Sequence, residues 1–276
     1  MKTQLEVISK TKHKDYSYLP LDLISENFLS ISHITSCRTC FPELQTIASN
    51  FPLIFTKKDK KNFKFEILLS FIKNKNPFIN KNGKWLGKYI PAYLRCIPFI
   101  LRYDEKKTGK FLSFISDLPL ILNKKVEGSI PFFENKKVSE KLSQMINIIN
   151  TIEKSDIDLN KALELIIDLD LLIEWPINIK FADGEKKIEG MYKINSEKLK
   201  DLSSENVLKL HNTKGFELIY SHLISMGTVH NLVSATTSGE ISKIQSKSLR
   251  DVVVEKQKIE KDREIDDLVK DLISPD

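Results

Sequence analysis

The run W-L-G-K-Y-I-P-A-Y-L-R-C-I-P-F, which spans Trp85–Phe99, concentrates aromatic side chains, two prolines and one arginine in a short stretch. Pro91 and Pro98 each fix the backbone φ angle and remove a hydrogen-bond donor. Each also disfavours the α conformation in the residue before it. The segment between them, Ala92–Cys96, therefore has room for little more than one helical turn. Arg95 carries the one charge within this proline bracket, as we call the segment from Pro91 to Pro98.

The proline bracket and the aromatic residues before it allow two interpretations. In the first, they form a packed corner in which Arg95 stacks on Trp85 or Tyr89, as guanidinium groups do on aromatic rings. In the second, they form a pocket in which Arg95 binds a carboxylate or a phosphate through two parallel hydrogen bonds. Aromatic residues mostly supply buried area, so packing is the simpler interpretation. The sequence leaves both open.

Around the bracket, the N-terminal half predicts short antiparallel strands. Apolar runs on either side of charged turns predict two hairpins, one over residues 52–71 and one over residues 97–116. Phe28–Ile34 alternates imperfectly and predicts a further strand. Between these strands, Phe41 opens a short helix that runs through Ala48, and the proline that follows Phe41 suits a first helical turn.

The C-terminal half changes character and is mainly helical. Apolar residues at three- and four-residue spacing predict two helices, one over residues 138–152 and one over residues 159–173 with Asp158 as its N-cap. The Asp-Gly pair between alternating runs predicts a hairpin over residues 175–194, and a longer helix follows over residues 216–233. We therefore predict an α+β fold, with antiparallel hairpins in the N-terminal half, helices plus one hairpin in the C-terminal half, and a helical tail.

Composition bounds the organisation of the chain. Its 276 residues suffice for one large domain. We expect a loose N-terminus over residues 1–15, a folded domain over residues 16–234 and a charged helical tail over residues 235–276. The net charge of +6 is scattered over lysine-rich turns, and no RNA- or DNA-binding motif accompanies it. We therefore do not expect a nucleic-acid partner.

The same sequence predicts a cytoplasmic location. The N-terminus is too polar to open a secretory leader, and no apolar run is long enough to span a membrane. Cys37, Cys40 and Cys96 make an odd number of cysteines, which favours reduced thiols. The C-x-x-C formed by the first two lacks the second ligand pair that a structural zinc site needs. We accordingly expect inert thiols, no metal and no cofactor.

Several segments follow one another in the order and spacing of a known family. They are Phe51–Phe55, Gly83–Trp85, Tyr89–Ala92, Arg95 and Pro98–Phe99 in the first half, and Asp183–Gly184, Gly190, Lys198–Leu199, Leu202, Leu208, Leu210, Gly215 and Ile219–Met226 in the second. In these residues the chain resembles the bacterial SapC family from about Tyr16 to Leu232. Cys37 and Cys40 are not part of the family's pattern, and the tail after Ser234 extends past the usual family end.

The resemblance implies an association with surface-layer (S-layer) protein genes and their export system, since the family takes its name from such a locus. One hypothesis is therefore a cytoplasmic accessory protein that binds an S-layer protein or an export-system component. The alternative is an enzyme acting on a peptide or small molecule, with a pocket near Arg95 and His222. A satisfied core histidine is the simpler interpretation of His222. The candidate binding residues are Trp85, Tyr89, Arg95, Tyr220 and His222.

Overall fold

The computed structural model describes residues 4–57, 62–103, 109–181 and 184–238. The α-helices within them are α1 (Leu44–Ala48), α2 (Ala92–Cys96), α3 (Glu140–Asp168), α4 (Ser196–Lys200), α5 (Ser204–Asn212), α6 (Gly215–Ser225) and α7 (Val229–Ser238). The strands are β1 (Leu5–Val7), β2 (Ser17–Tyr18), β3 (Ser36–Arg38), β4 (Leu53–Lys57), β5 (Phe63–Leu68), β6 (Phe99–Tyr103), β7 (Lys110–Ile115), β8 (Ile121–Leu122), β9 (Ile130–Pro131), β10 (Phe133–Glu134), β11 (Lys137–Val138), β12 (Leu172–Glu174), β13 (Ile177–Phe181), β14 (Gly184–Ile188) and β15 (Met191–Ile194). The predicted α+β class is confirmed, and every strand pairing is antiparallel.

The largest sheet draws strands from both halves of the chain. Its order is β12-β15-β4-β5-β3. The first predicted hairpin, β4 with β5, lies at its centre, and the C-terminal strands β15 and β12 extend it on one side. The second predicted hairpin, β6 with β7, belongs to a separate sheet of order β1-β7-β6. Both N-terminal hairpins are therefore confirmed, and they do not share a sheet.

Residues 4–15 lie within the segment predicted to be loose, and the structure gives them ordered contacts. Leu5–Val7 pairs with Ile115–Ser113 along the edge of β7. Further along, His13 is buried and lies edge-on against the ring of Phe114 at 5.1 Å between centroids. The segment is polar in sequence because one side of it faces solvent, while its backbone covers a strand edge that would otherwise be unpaired.

The third predicted hairpin forms, but its second strand is shorter than expected. β13 and β14 pair from Ile177 with Ile188 to Phe181 with Gly184. The chain then turns at Gly190, whose φ of +84° is a left-handed conformation that favours glycine. Beyond this turn β15 leaves the hairpin and enters the large sheet between β12 and β4.

The two helices predicted over residues 138–173 are one helix, α3. Its N-cap is Ser139, which accepts a hydrogen bond from the Leu142 N–H, and the predicted N-cap Asp158 lies in its interior. Residues between the two predicted helices bond to an earlier part of the chain. Arg38 forms ion pairs with Glu153 and Asp156, and the buried Ser155 hydroxyl accepts the Phe41 N–H at 2.7 Å.

Helix α3 also connects two hydrophobic cores. Its N-terminal half packs Leu142, Ile149 and Ile152 into a core formed with the small sheets and α2. Its C-terminal half packs Leu159, Ala162, Leu163 and Ile166 into the main core under the large sheet. A 29-residue helix is about 43 Å long, so one rigid element fixes how the two cores lie relative to each other.

Three further predictions change in detail. Phe28–Ile31 forms a 3₁₀ helix and not a strand, because Phe28 and Ile31 are both buried at a three-residue spacing. The helix predicted over residues 216–233 divides at Met226–Thr228 into α6 and α7. The boundary expected after Ser234 falls inside α7, where Ala235 is buried. The rest of the predicted tail lies outside the described residues.

Gly83, in the loop before the proline bracket, and Gly190, between β14 and β15, allow a test of how closely the first of these loops is packed. Both have a positive φ, +82° and +84°, but a Cβ on Gly83 would lie 2.2 Å from the Glu26 carbonyl oxygen, whereas a Cβ on Gly190 would meet nothing within 4 Å. We expect Gly190→Ala to lower the free energy of unfolding by about 1 kcal/mol, the cost of the left-handed backbone. Gly83→Ala adds a clash with backbone and should cost about 3 kcal/mol or more. Urea denaturation of both variants checks this, and equal losses would contradict it.

Candidate functional site

Trp85 packs in the main core and holds the chain that leads into the proline bracket. It is buried and stacks on Phe78 with 5.4 Å between ring centroids. Its indole N–H donates to the Tyr89 carbonyl oxygen at 2.9 Å. Trp85 therefore positions the backbone of Tyr89, and its ring is inaccessible to a ligand.

Glu43, which the sequence gave no reason to single out, is the buried acid of this region. It is 5% exposed and follows Phe41-Pro42 in a short 3₁₀ helix, Phe41–Glu43. One carboxylate oxygen accepts the Ala92 N–H at 2.9 Å and the Tyr89 hydroxyl at 3.1 Å, and the other accepts the Thr39 hydroxyl at 3.3 Å. The first of these satisfies a buried N–H at the start of α2, which has no partner within that helix. The carboxylate thus joins the 3₁₀ helix to the proline bracket.

Arg95 and Glu43 contact the same Tyr89 hydroxyl. Its guanidinium carbon is 5.6 Å from the centroid of the Tyr89 ring, and its Nη2 donates to the Tyr89 hydroxyl at 3.3 Å. The packing interpretation offered Trp85 or Tyr89 as the stacking partner, and Arg95 lies over Tyr89. In the part of the chain that the structure describes, Arg95 forms no salt bridge and its buried Nε–H has no hydrogen-bond partner.

Arg95 and Tyr89 also line a cavity, so the pocket interpretation describes the same residues. The cavity has a volume of about 480 Å³, within the range of small-molecule sites. We call it the Arg95 cavity. It is lined by Asp22, Leu23, Ile24, Lys88, Tyr89, Ile90 and Arg95. Burial raises the pKa of Tyr89 to about 12, and the negative charge of the nearby Glu43 is the second cause of the rise. The phenol therefore stays protonated at neutral pH and donates to Glu43.

His222 lies in the main core, away from solvent, and its exposed fraction is 0%. Its Nδ1–H donates to the Leu53 carbonyl oxygen at 2.7 Å, and its Nε2 accepts the Ile194 N–H at 3.3 Å. Next to it, the Ser225 hydroxyl accepts the Leu53 N–H at 2.9 Å. Both ring nitrogens of His222 are thus occupied by backbone groups, and the ring packs on Phe55.

The position of His222 completes the large sheet. β15 pairs with β4 at Met191 with Thr56 and at Tyr192 with Phe55. Continuing that register would bring Ile194 opposite Leu53, and the imidazole ring bridges the Leu53 carbonyl and the Ile194 N–H at that point. Since such a ring cannot also face a ligand at Arg95, the structure does not assemble the two residues into one pocket.

Tyr220 lies on the opposite face of α6 from His222. It is 53% exposed, and Ile224, one turn further along, is 65% exposed. Phe216 stacks on Tyr220 with 5.8 Å between ring centroids. A groove of about 630 Å³ runs between this helix face and the segment 41–49; we call it the α6 groove. Its lining is Phe41, Pro42, Leu44, Gln45, Ala48, Ser49, Phe216, Glu217, Tyr220, Ser221 and Ile224.

The cysteines are buried and free. Burial raises the pKa of Cys40 and of Cys96 to about 12 and that of Cys37 well above its usual range. Thiols in such surroundings are poor nucleophiles and poor metal ligands. Over the described ranges, no group of three or more His, Cys, Asp or Glu side chains is placed to hold a metal ion.

Comparison with known proteins agrees with the resemblance in sequence. A family model described as SapC matches residues 8–232. The chain belongs to the SapC family. Searches of curated proteins and of solved structures each returned no significant match. The SapC match begins before the segment in which the resemblance was seen and contains both the Arg95 cavity and the α6 groove. In the described ranges, no helix combines the length and apolar character needed to cross a membrane.

His222 makes stability depend on pH. Burial lowers the pKa of its imidazole to about 4, from the usual value of 6.5. The unfolded chain therefore takes up a proton between pH 6.5 and 4 that the folded chain does not, and the stabilisation present above pH 6.5 is lost as the pH falls through this window. We expect the contribution of this residue to fall by about 3 kcal/mol across it.

Denaturant unfolding of wild type and His222→Gln at several pH values checks this expectation. The variant should be less stable at pH 7.5, because it loses a ring that bonds two strands, and its loss of stability between pH 6.5 and 4 should be smaller than that of wild type. His211→Gln, at an exposed position, is the matched control and should follow the wild-type profile. Parallel profiles for wild type and His222→Gln would contradict the assignment.

Thiol reactivity tests the burial of the three cysteines. Because the thiolate is the reacting species and the pKa values of Cys37, Cys40 and Cys96 are raised, we expect negligible reaction with a disulfide reagent at pH 8 in the folded protein. Three equivalents should react in denaturant, since the chain has three cysteines. Rapid modification of any one of them in the native state would indicate a reactive thiol.

Proposed function

We propose that this SapC protein is a cytoplasmic accessory factor of S-layer protein biogenesis or export, and that it acts by binding a protein. The observation that carries the proposal is the α6 groove. An exposed apolar patch of this kind on a folded domain is typical of a protein-binding surface. Family membership supports the choice of partner, an S-layer protein or a component of its export system.

The geometry of the groove suits an apolar peptide segment. Phe216, Tyr220 and Ile224 recur at four-residue spacing and so lie along one stripe of α6, and Phe41 and Leu44 form the facing wall. Aromatic residues in such positions commonly supply much of the binding energy of an interface. The opposite stripe of α6, with His222 and Ser225, is fixed in the core, so the exposed stripe is held rigidly.

An enzymatic function is less well supported. That alternative needed Arg95 and His222 to meet around a substrate. His222 is instead bonded to Leu53 and Ile194 inside the sheet, where its depressed pKa keeps it neutral. His222 therefore stabilises the sheet and does not line a pocket with Arg95.

Binding of purified S-layer protein and purified export components tests the proposal. We expect at least one of them to bind the full chain, and we expect Tyr220→Ala and Ile224→Glu each to weaken binding by about tenfold or more, the effect of losing a central apolar contact. Leu208→Glu on α5 is the matched control, because Leu208 is 59% exposed but does not line the groove. It should bind as wild type does.

A photo-crosslinker at position 224 should in addition capture the bound partner, while one at position 208 should not. The proposal fails if none of these purified proteins binds. It also fails if binding survives both groove variants, because the α6 groove would then not be the surface involved.

A further inference from the structure

We propose that the Arg95 cavity binds an aliphatic carboxylate. This site is separate from the α6 groove. The groove is proposed to bind an apolar protein segment, whereas the Arg95 cavity would bind a small ligand or a chain terminus. The proposal rests on three observations: the guanidinium at the cavity forms no ion pair with any described residue, Tyr89 holds it in place, and aliphatic side chains form the walls beside it.

The guanidinium of Arg95 has donors to spare. An arginine carries five N–H groups, of which one contacts the Tyr89 hydroxyl, and the buried Nε–H lacks a partner among the described residues. The Nε–H is enclosed by the protein, so the N–H groups of the two Nη atoms that do not contact Tyr89 are the donors that a carboxylate would bind. Glu43, the nearest acid in this network, reaches Arg95 only through the Tyr89 hydroxyl, since its own oxygens are taken up by Thr39, Ala92 and Tyr89.

The same contacts fix the direction of the guanidinium. The Tyr89 ring lies beneath it at 5.6 Å, and the Tyr89 backbone is held in turn by Trp85. A planar guanidinium that is already oriented matches the two oxygens of a carboxylate, and less ordering entropy is lost when the ligand binds.

The walls of the cavity define the rest of the ligand. Asp22 accepts the Ile24 N–H at 3.1 Å in a tight turn, which presents Leu23 and Ile24 at the cavity, and Ile24 is 88% exposed. Ile90 lines the inner side. The charged groups of the lining are two cations, Lys88 and Arg95, and one acid, Asp22. A surplus of positive charge beside aliphatic walls fits a carboxylate attached to an alkyl group. Inorganic phosphate would gain from the charge but not from the walls.

Arg38 is an arginine in a similar aromatic setting whose charge is paired with acidic side chains. Its guanidinium lies 5.8 Å from the Tyr93 ring centroid, much as Arg95 lies over Tyr89. It is, however, ion-paired with Glu153 and Asp156. It also borders an apolar cavity of about 340 Å³. Arg38 is therefore a matched control for Arg95. Its substitution also tests whether an aliphatic ligand binds in the cavity beside Arg38 and not in the Arg95 cavity.

Isothermal titration of the full chain tests the proposal. The probes are octanoate and N-acetylleucine, their neutral counterparts octanamide and N-acetylleucinamide, and inorganic phosphate. We expect at least one carboxylate to bind about 10- to 100-fold more tightly than its amide, the difference expected for charge-assisted hydrogen bonds. Tighter binding of octanoate would identify a free aliphatic acid as the source, and tighter binding of N-acetylleucine a polypeptide C-terminus.

Three variants locate the site. Arg95→Gln should lower carboxylate affinity to that of the amide, while Arg38→Gln should leave it unchanged. Ile24→Asp should weaken binding at least tenfold by placing a negative charge beside the ligand, and its exposed position makes it safe for folding if Arg95→Gln proves unstable by thermal denaturation.

Four outcomes would overturn the proposal. They are no binding by either carboxylate, equal binding of acid and amide, binding of phosphate alone, and loss of binding in Arg38→Gln but not in the cavity variants. None of these outcomes concerns protein binding at the α6 groove, so this proposal and the proposed function can fail independently.

Discussion

The large sheet depends on a side chain that replaces a strand hydrogen bond. β4 and β15 pair for only two residues, and the imidazole of His222 then bridges Leu53 and Ile194, where the ladder would have continued. Ser225 binds the Leu53 N–H beside it. Because buried backbone groups must find partners, helix α6 is part of the sheet's hydrogen bonding as well as a lid on it. The N-terminal hairpin and the C-terminal helices are thereby fixed as one unit.

A second constraint, the Glu43 carboxylate, positions the candidate site. A buried carboxylate persists only where donors surround it, and here they come from Thr39, Tyr89 and Ala92. Removing one donor would leave charge uncompensated in the core, so the three groups must keep their relative positions. Arg95 gains a fixed support from this arrangement through the Tyr89 hydroxyl. Among the described residues it forms no ion pair.

The sequence predicted those parts of the fold that local signals decide. Turn residues between apolar runs gave the hairpins over residues 52–71 and 97–116, and two prolines gave the single turn Ala92–Cys96. Long-range contacts decided the rest. The continuity of α3 depends on Arg38 and Phe41, which lie about a hundred residues earlier in the chain. Glu43 was not predicted because an acid in a first helical turn is usually a solvated residue, and only the folded chain brings its donors together.

The Arg95 cavity and the α6 groove share one structural element, the 3₁₀ helix Phe41–Glu43. Phe41 lines the groove, and Glu43, at the other end of the same turn, binds the Tyr89 hydroxyl that contacts Arg95. The turn is anchored from below, since the Phe41 N–H is bound by Ser155 of α3. Because this three-residue helix is held at both ends, a shift of Phe41 in the α6 groove would also move Glu43 and, through Tyr89, the support of Arg95. Suppose that a ligand in one site shifts this turn and so changes the affinity of the other site by some factor. Occupancy of that second site must then change the affinity of the first by the same factor, because coupling between two binding sites is reciprocal.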